Sequence, residues 1–374
     1  MTLSPSSQIQ IDEGTCFAVF VYDVGAAIKL DEVDQQITAT KERGRIKRMR
    51  PAPPYFDYYP PPLRLTQEFD SLSLGTWQTT CCVDVVLYDF GAISVTYQIP
   101  LGGSLSSLLQ LSEALFENAH FLQESRHRIE HLLSTIQGSV EKASISPLVE
   151  DFSIFHIVRF CPACPANDLL TTYDQELAQI LRCEKEQLSD QEVQGATSCR
   201  ISFGTEDITL IDWNGAIMVG QDMEDVRGVL EFANVELLER RFLDQQLDHA
   251  LDQAYEVLAK RTFARSWWPG SYHADLARIA RLQVDSALLF ERVTNTLKLL
   301  GDQYLARVYR QTSERFHLKE WDTSILRKLD TIESVYNKMA DQTGNRRMEV
   351  LEWIIIILIA ISIVLPFIPG FPGY

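Results

Sequence analysis

The chain has 374 residues and a formal net charge of −17. That is enough length for two or three compact units with a real core, and the acidity opposes non-specific binding to nucleic acid or anionic lipid over most of the surface. Seven cysteines at this length indicate neither a disulfide scaffold nor a secreted domain, and the polar, acidic opening MTLSPSSQIQIDEGT has neither a secretory apolar core nor the Arg-rich character of a transit peptide.

Residues Thr15 to Ile28, TCFAVFVYDVGAAI, predict an apolar strand, a turn and a second strand. A similar pattern returns at Asp84 to Val95 and, more faintly, at Ile208 to Val219. The shared element is a strand followed by Tyr22-Asp23-Val24-Gly25-Ala26, Tyr88-Asp89-Phe90-Gly91-Ala92 or Asp212-Trp213-Asn214-Gly215-Ala216. In each the glycine supplies the positive φ that a tight hairpin needs. Helical patterns follow at Asp31 to Glu42, Ser104 to Ile136 and Asp222 to Lys260. One β-hairpin–helix unit, used repeatedly, would build a mixed sheet with helices on one face; chance similarity between short hairpins is the competing reading. Between the first two units, Lys41 to Arg50 (KERGRIKRMR) is the one basic run. It suits either phosphates of lipid or RNA, or a solvated helix end. Pro51 to Pro62 (PAPPYFDYYPPP) is a Pro-rich linker or docking segment. An apolar strand at Phe152 to Phe160 and a polar helix after Pro165 bring the α/β part to an end near Gly220.

Beyond that point the pattern is helical. Leu230, Leu237, Leu243, Leu247, Leu251 and Leu258 form an apolar row near the helical period, stopped at Trp267-Trp268-Pro269-Gly270. A second helix carries Leu282, Leu289, Val293, Leu297, Leu300, Tyr304 and Val308, and the chain turns again around His317 to Trp321. A third helix keeps a heptad seam at Ile325, Leu329, Ile332, Tyr336 and Met339, which must bury itself against neighbouring helices or another copy of the chain.

The tail predicts a membrane span. No charged residue follows Glu352, and the anchor consists of Trp353, Ile354, Ile355, Ile356, Ile357, Leu358, Ile359, Ile361, Ile363, Val364, Leu365 and Phe367, behind Arg346 and Arg347. The stretch from Val350 to Phe371 supplies the roughly 20 apolar residues that a bilayer requires, and the two arginines place the bulk of the chain in the cytoplasm.

Gly301 to Trp321 (GDQYLARVYRQTSERFHLKEW), the seam, Arg346-Arg347 with LEWIIIILIA, and Val229 to Leu258 together resemble the C-terminal half of the required-for-meiotic-nuclear-division family and its bacterial YagE-like relatives. The resemblance implies membrane anchorage through the tail, no catalytic activity, large oligomers, and a role supporting translation at a membrane. The N-terminal half departs from that family's aromatic-rich strand pair at LYDFGAISVTYQIPL, so no partner is carried over.

The sharpest chemical motif is Cys161-Pro162-Ala163-Cys164. It can hold zinc if two further ligands converge, and His127 and His131, four apart, would be such a pair; otherwise the two are reduced structural cysteines. Asp244, Asp248 and Asp252 form a carboxylate row that repels itself slightly and calls for cations such as Arg278, Arg281, Arg307 or Arg310 on an adjacent helix. No GxSxG or phosphate-binding Gly-rich loop occurs, and His156 reads as a satisfied core histidine.

Taken together, the sequence predicts an α+β protein. A mixed-sheet head spans 1–220, a helical stalk 221–345 and a transmembrane anchor 346–374. The function read from it is a non-enzymatic, cofactor-free, tail-anchored scaffold in a bacterial inner membrane. Its expected partners are the lipid bilayer, further copies of itself and an unknown protein, with nucleic acid disfavoured. The alternative is a membrane-bound metal or redox protein with its site at Cys161 and Cys164.

Overall fold

The structure, a computed structural model, describes residues 9–41, 46–48, 61–263 and 303–364, with five isolated positions between 277 and 287. The chain begins with β1 (Gln10–Asp23), β2 (Ala27–Ile28), α1 (Leu30–Lys41), β3 (Ile46–Arg48) and β4 (Leu63–Glu68). Next come β5 (Ser73–Leu74), β6 (Trp77–Gln78), β7 (Cys82–Leu87), β8 (Ala92–Ser104), α2 (Ser107–Leu115) and α3 (Ala119–Ile136). These lead to β9 (Val140–Glu141), β10 (Val149–Cys161), α4 (Ala166–Thr172), α5 (Asp174–Arg182) and α6 (Asp190–Thr197). After β11 (Arg200–Ile201), β12 (Ile208–Ile211) and β13 (Gly215–Val219) come three helices, α7 (Glu224–Phe263), α8 (Gln303–Arg315) and α9 (Leu318–Val364).

Nine strands make one sheet in the order β11-β12-β13-β10-β1-β8-β7-β4-β3. Only the β10–β13 pair is parallel. β1 lies near the middle and is covered on both faces, which is why FAVFVY is continuously apolar rather than alternating. Its Cys16, Ala18, Phe20 and Tyr22 join Val33, Leu111, Phe121 and Leu177 from α1, α2, α3 and α5. Its Val19 and Val21 face the other way, toward Val229, Phe232 and Leu238 of α7 and Val308 of α8. The α+β class with a large mixed sheet therefore holds, but helices cover both faces, not one.

Two of the three hairpin motifs form hairpins: β7–β8 and β12–β13. The first motif does not. Residues after Gly25 give only the two-residue β2, which pairs with β9, while β1 is one long strand between β8 and β10. The Asp-x-Gly turns at Gly25 and Gly91 instead lie against each other: Val24 N–H donates to the Gly91 carbonyl (2.9 Å) and Ile28 N–H to that of Asp89 (2.8 Å).

The described residues divide into two compact units. One comprises residues up to 242 and 303–322; the other comprises 243–263 and 323–364. In the second unit Leu247, Ala250 and Ala254 of α7 are buried, as are Ile325, Ile332 and Val335 of α9, with Leu329 half-buried. The side chains of Tyr336 and Met339 lie outside the described residues. Asp244 and Asp248 share one cation: Lys328 Nζ sits 2.7 Å from the first and 2.6 Å from the second. Two of the three carboxylates of the row are thus met from the third predicted helix; Arg278 of the second lies outside the described residues.

The membrane anchor is overturned. Among the described residues no helix is long and apolar enough to cross a membrane. In α9, Arg346, Arg347, Glu349 and Glu352 interrupt hydropathy up to Trp353, and Val364 is the last described residue. The apolar run of Trp353, Ile354, Ile355, Ile356, Ile357, Leu358, Ile359, Ile361, Ile363 and Val364 with Ala360 and Ser362 is twelve residues. That is about 18 Å of helix against a hydrocarbon core of about 30 Å. Leu365 and Phe367 lie outside the described residues, so the count from Val350 to Phe371 spanned more than the described helix. The tail-anchored function, the bilayer partner and the inner-membrane location rested on that count and fall with it. The turn at 267–270, most of the basic run 41–50 and the Pro-rich 51–60 are also outside the described residues.

Gly91 is the position in the sheet with least room. Its φ is +105°, and a Cβ there would lie 1.8 Å from the Gly25 carbonyl oxygen. Gly91→Ala should cost about 3 kcal/mol and lower the thermal midpoint by about 4 °C, measured by circular dichroism.

Candidate functional site

Helix α7 carries the densest set of buried ionisable groups. Every residue from Val226 to Arg240 is buried, because the sheet covers one side of the helix and α8 and the start of α9 cover the other. Arg227 lies with its guanidinium 4.4 Å above the Phe17 ring, and Glu239 acts on Asp23 six residues further along β1. Twelve helical residues rise about 18 Å and six strand residues about 20 Å, so α7 runs along β1.

At the Phe17 end, Arg227 Nη1 donates to Glu231 Oε1 at 2.6 Å. Asp84 on β7 accepts from Thr66 (3.1 Å) and Gln98 (2.9 Å). Burial raises the Asp84 carboxyl above the usual aspartate range, and those two hydrogen bonds hold it back. His156 is satisfied: its Nε2 meets the Gly220 carbonyl at 2.8 Å, and burial keeps the ring neutral to lower pH than usual.

In the middle, Tyr309 of α8 donates to Glu236 at 2.6 Å. Arg240 reaches Glu236 (3.5 Å) and donates through Nε to Asp322 of α9 at 2.7 Å. These contacts clamp three helices through charge-assisted hydrogen bonds.

At the Asp23 end the groups do not pair so neatly. Burial pushes the Asp23 carboxyl up to about 8. Glu239 is raised well above the ordinary range, first by burial and then by the Asp23 charge, and neither of its carboxyl oxygens has a hydrogen-bond partner. Glu150, paired with Arg241, is pushed up to about 7 by burial despite that arginine. Both carboxyls are therefore held protonated to higher pH than an ordinary carboxylate, by burial first. Asp23 and Glu239 are 3% and 1% exposed, so a substrate cannot reach either.

The metal candidates are not brought together. Cys161 ends β10 opposite Gln10, whereas α3, which carries His127 and His131, packs at the other end of that strand through Tyr22 and Ser125 (2.7 Å). Twelve strand residues separate the two ends, about 40 Å. Both histidines are exposed, and among the described residues no group of three or more His, Cys, Asp or Glu is placed to hold a metal. Burial raises the Cys164 thiol above its usual value, the opposite of an activated thiolate.

The buried carboxyls around α7 set a pH dependence. In the unfolded chain these carboxyls titrate near pH 4; in the folded chain Glu150 keeps its proton to about 7 and Asp23 to about 8. The folded state binds more protons across that window, so stability is lost as pH rises from about 4 to about 8. The thermal midpoint should be lower at pH 8 than at pH 5. Glu239→Gln should flatten that slope and raise the pH 8 midpoint by about 2 °C; an unchanged slope would show that Glu239 holds no extra proton.

Comparison with known proteins returns one family. The model of the N-terminal domain of uncharacterized protein MJ0711 matches residues 13–225, which contain β1 from Glu13 onward and all of β2 through β13. Uncharacterized protein MJ0711 of Methanocaldococcus jannaschii is 20% identical over 308 residues, 81% of this chain and 83% of that protein. No solved structure matches. The match is to this family of unknown function and not to the required-for-meiotic-nuclear-division or YagE-like family. The family model covers more than half of the chain, and the protein belongs to the MJ0711 N-terminal domain family.

Proposed function

We propose that the protein is a non-enzymatic assembly module whose copies associate through the C-terminal part of α9. One observation carries this reading: Ile355, Ile356, Ile357 and Leu358 are consecutive and 55%, 53%, 52% and 60% exposed. At about 100° per residue four positions occupy every side of the helix. A helix apolar on all sides is one that other elements surround, and an exposed patch of this kind marks an interaction site.

A second copy is the favoured occupant because a run apolar on all sides is self-complementary. Identical helices side by side bury the same residues on each other, and isoleucine-rich seams favour more than two strands. Covering the exposed half of each side chain is worth about 1 kcal/mol, about 4 kcal/mol per copy. Association costs at least about 4 kcal/mol in lost freedom, so this run alone would hold a dimer weakly and a bundle of several copies better. The charge of −17 on each copy opposes assembly and is screened by salt.

The test is analytical ultracentrifugation of the full chain at 50 and 500 mM salt. Oligomers of three or more copies, stronger at high salt and lost in Ile356→Glu/Leu358→Glu, support the reading. A wild-type chain that stays monomeric at both salts overturns it, as does an oligomer indifferent to the double substitution.

A further inference from the structure

The loop between β11 and β12 holds a phenylalanine out in solvent. Phe203 is 79% exposed, and the loop is tied by Asp207, whose carboxylate accepts the backbone N–H groups of Phe203 (2.8 Å) and Gly204 (2.5 Å). The ring stands edge-on to Tyr304 of α8, with centroids 5.2 Å apart. Arg307 lies 5.7 Å from the centroid of the same tyrosine. Arg307 and Arg310 are exposed and three apart on α8, hence on one side of it.

These side chains, with Gln303, line a cleft of about 670 Å³, within the range of small-molecule sites. Neither arginine is in an ion pair among the described residues, although the chain carries 51 acidic side chains against 34 Lys and Arg. The nearby carboxylate, Asp207, accepts the loop N–H groups and acts on the Tyr304 hydroxyl rather than on either arginine. Two aromatic rings and two guanidiniums that no carboxylate neutralises form a surface for a flat ring joined to an anion: the rings stack on a heterocycle and the guanidiniums take phosphate oxygens in pairs.

We propose that this cleft binds a nucleoside phosphate, its base against Phe203 and Tyr304 and its phosphates on Arg307 and Arg310. With both guanidiniums on the phosphates and Tyr304 offering its ring face, Gln303 is the side chain left to read a base edge, so purine and pyrimidine nucleotides should both bind. A nucleic-acid strand is disfavoured by the repulsion of a chain with net charge −17.

Isothermal titration of the full chain with ADP and UDP, and separately with adenosine and inorganic phosphate, tests the site. Expected are saturable binding of both nucleotides, at least tenfold weaker binding of adenosine and of phosphate, and at least tenfold loss for ADP in Phe203→Ala and in Arg307→Gln/Arg310→Gln. These substitutions are on the surface, and an unchanged circular dichroism spectrum certifies the fold. No binding of either nucleotide at millimolar concentration overturns the proposal. So does phosphate binding as tightly as ADP, or ADP binding that survives both variants.

Discussion

Everything on one side of the sheet depends on a helix buried on all its faces. Residues 226–240 of α7 contain Arg227, Glu231, Asn234, Glu236, Glu239 and Arg240 without an exposed residue among them. Isolated buried charges cost several kcal/mol each, so each must find a partner, and the partners decide where neighbouring elements lie. Arg227 takes Glu231 and the Phe17 ring. Glu236 takes Tyr309, and Arg240 takes Asp322, so that α8 and the first turns of α9 are located by two hydrogen bonds as well as by apolar contact. Glu239 has no cation of its own, and burial, then the Asp23 charge, raises it well above the ordinary carboxyl range. The helix gains position from its charges more than stability.

A second brace closes the edge of the sheet. Asp212, in the β12–β13 turn and fully buried, meets Arg182 of α5 at 2.7 Å and Arg315 of α8, whose Nε donates at 3.0 Å. Its Oδ1 also accepts the Trp213 N–H at 2.8 Å. Since α5 lies on one face of the sheet and α8 on the other, a single carboxylate joins both helical layers around β12 and β13. Beside it Trp213 stacks on His317 at 5.2 Å, fixing the tight turn between α8 and α9.

The strands were readable because their physics is local. The Asp-Phe-Gly-Ala and Trp-Asn-Gly-Ala turns joined strands of matching apolar character, and both became hairpins. Asp-Val-Gly-Ala failed as a hairpin because Gly25 packs on the neighbouring turn at Gly91, a contact between residues 66 apart in the chain. The buried charges of α7 were not readable. Its leucine row gave a helix with one apolar stripe, and a glutamate on the remaining surface looks the same in sequence whether water or Tyr309 meets it. Tertiary partners decided that, as they decided that Lys328 and not an arginine would serve Asp244 and Asp248. His156 was readable because an apolar strand leaves a histidine few options beyond a backbone carbonyl. The Phe203 cleft left no signal: its residues come from segments about 100 positions apart, and a phenylalanine in a polar loop is unremarkable alone.

The tail was misread for an instructive reason. A run of isoleucines satisfies the hydropathy of a membrane span before its length is known, and length is what the described helix lacks. What remains is a contrast between two helices with the same requirement. In α7 an all-round shell is supplied by the chain itself: sheet below, α8 and the start of α9 above, and ion pairs for Arg227, Glu231, Glu236 and Arg240. At Ile355 to Leu358 the side chains are as apolar as any in the core, yet more than half of each faces solvent. With no charge among them, that surface gains nothing from water and nothing from salt bridges, and any shell must be apolar on every side. A second helix of the same sequence meets that condition automatically, which a groove on a folded surface, apolar on one side only, does not.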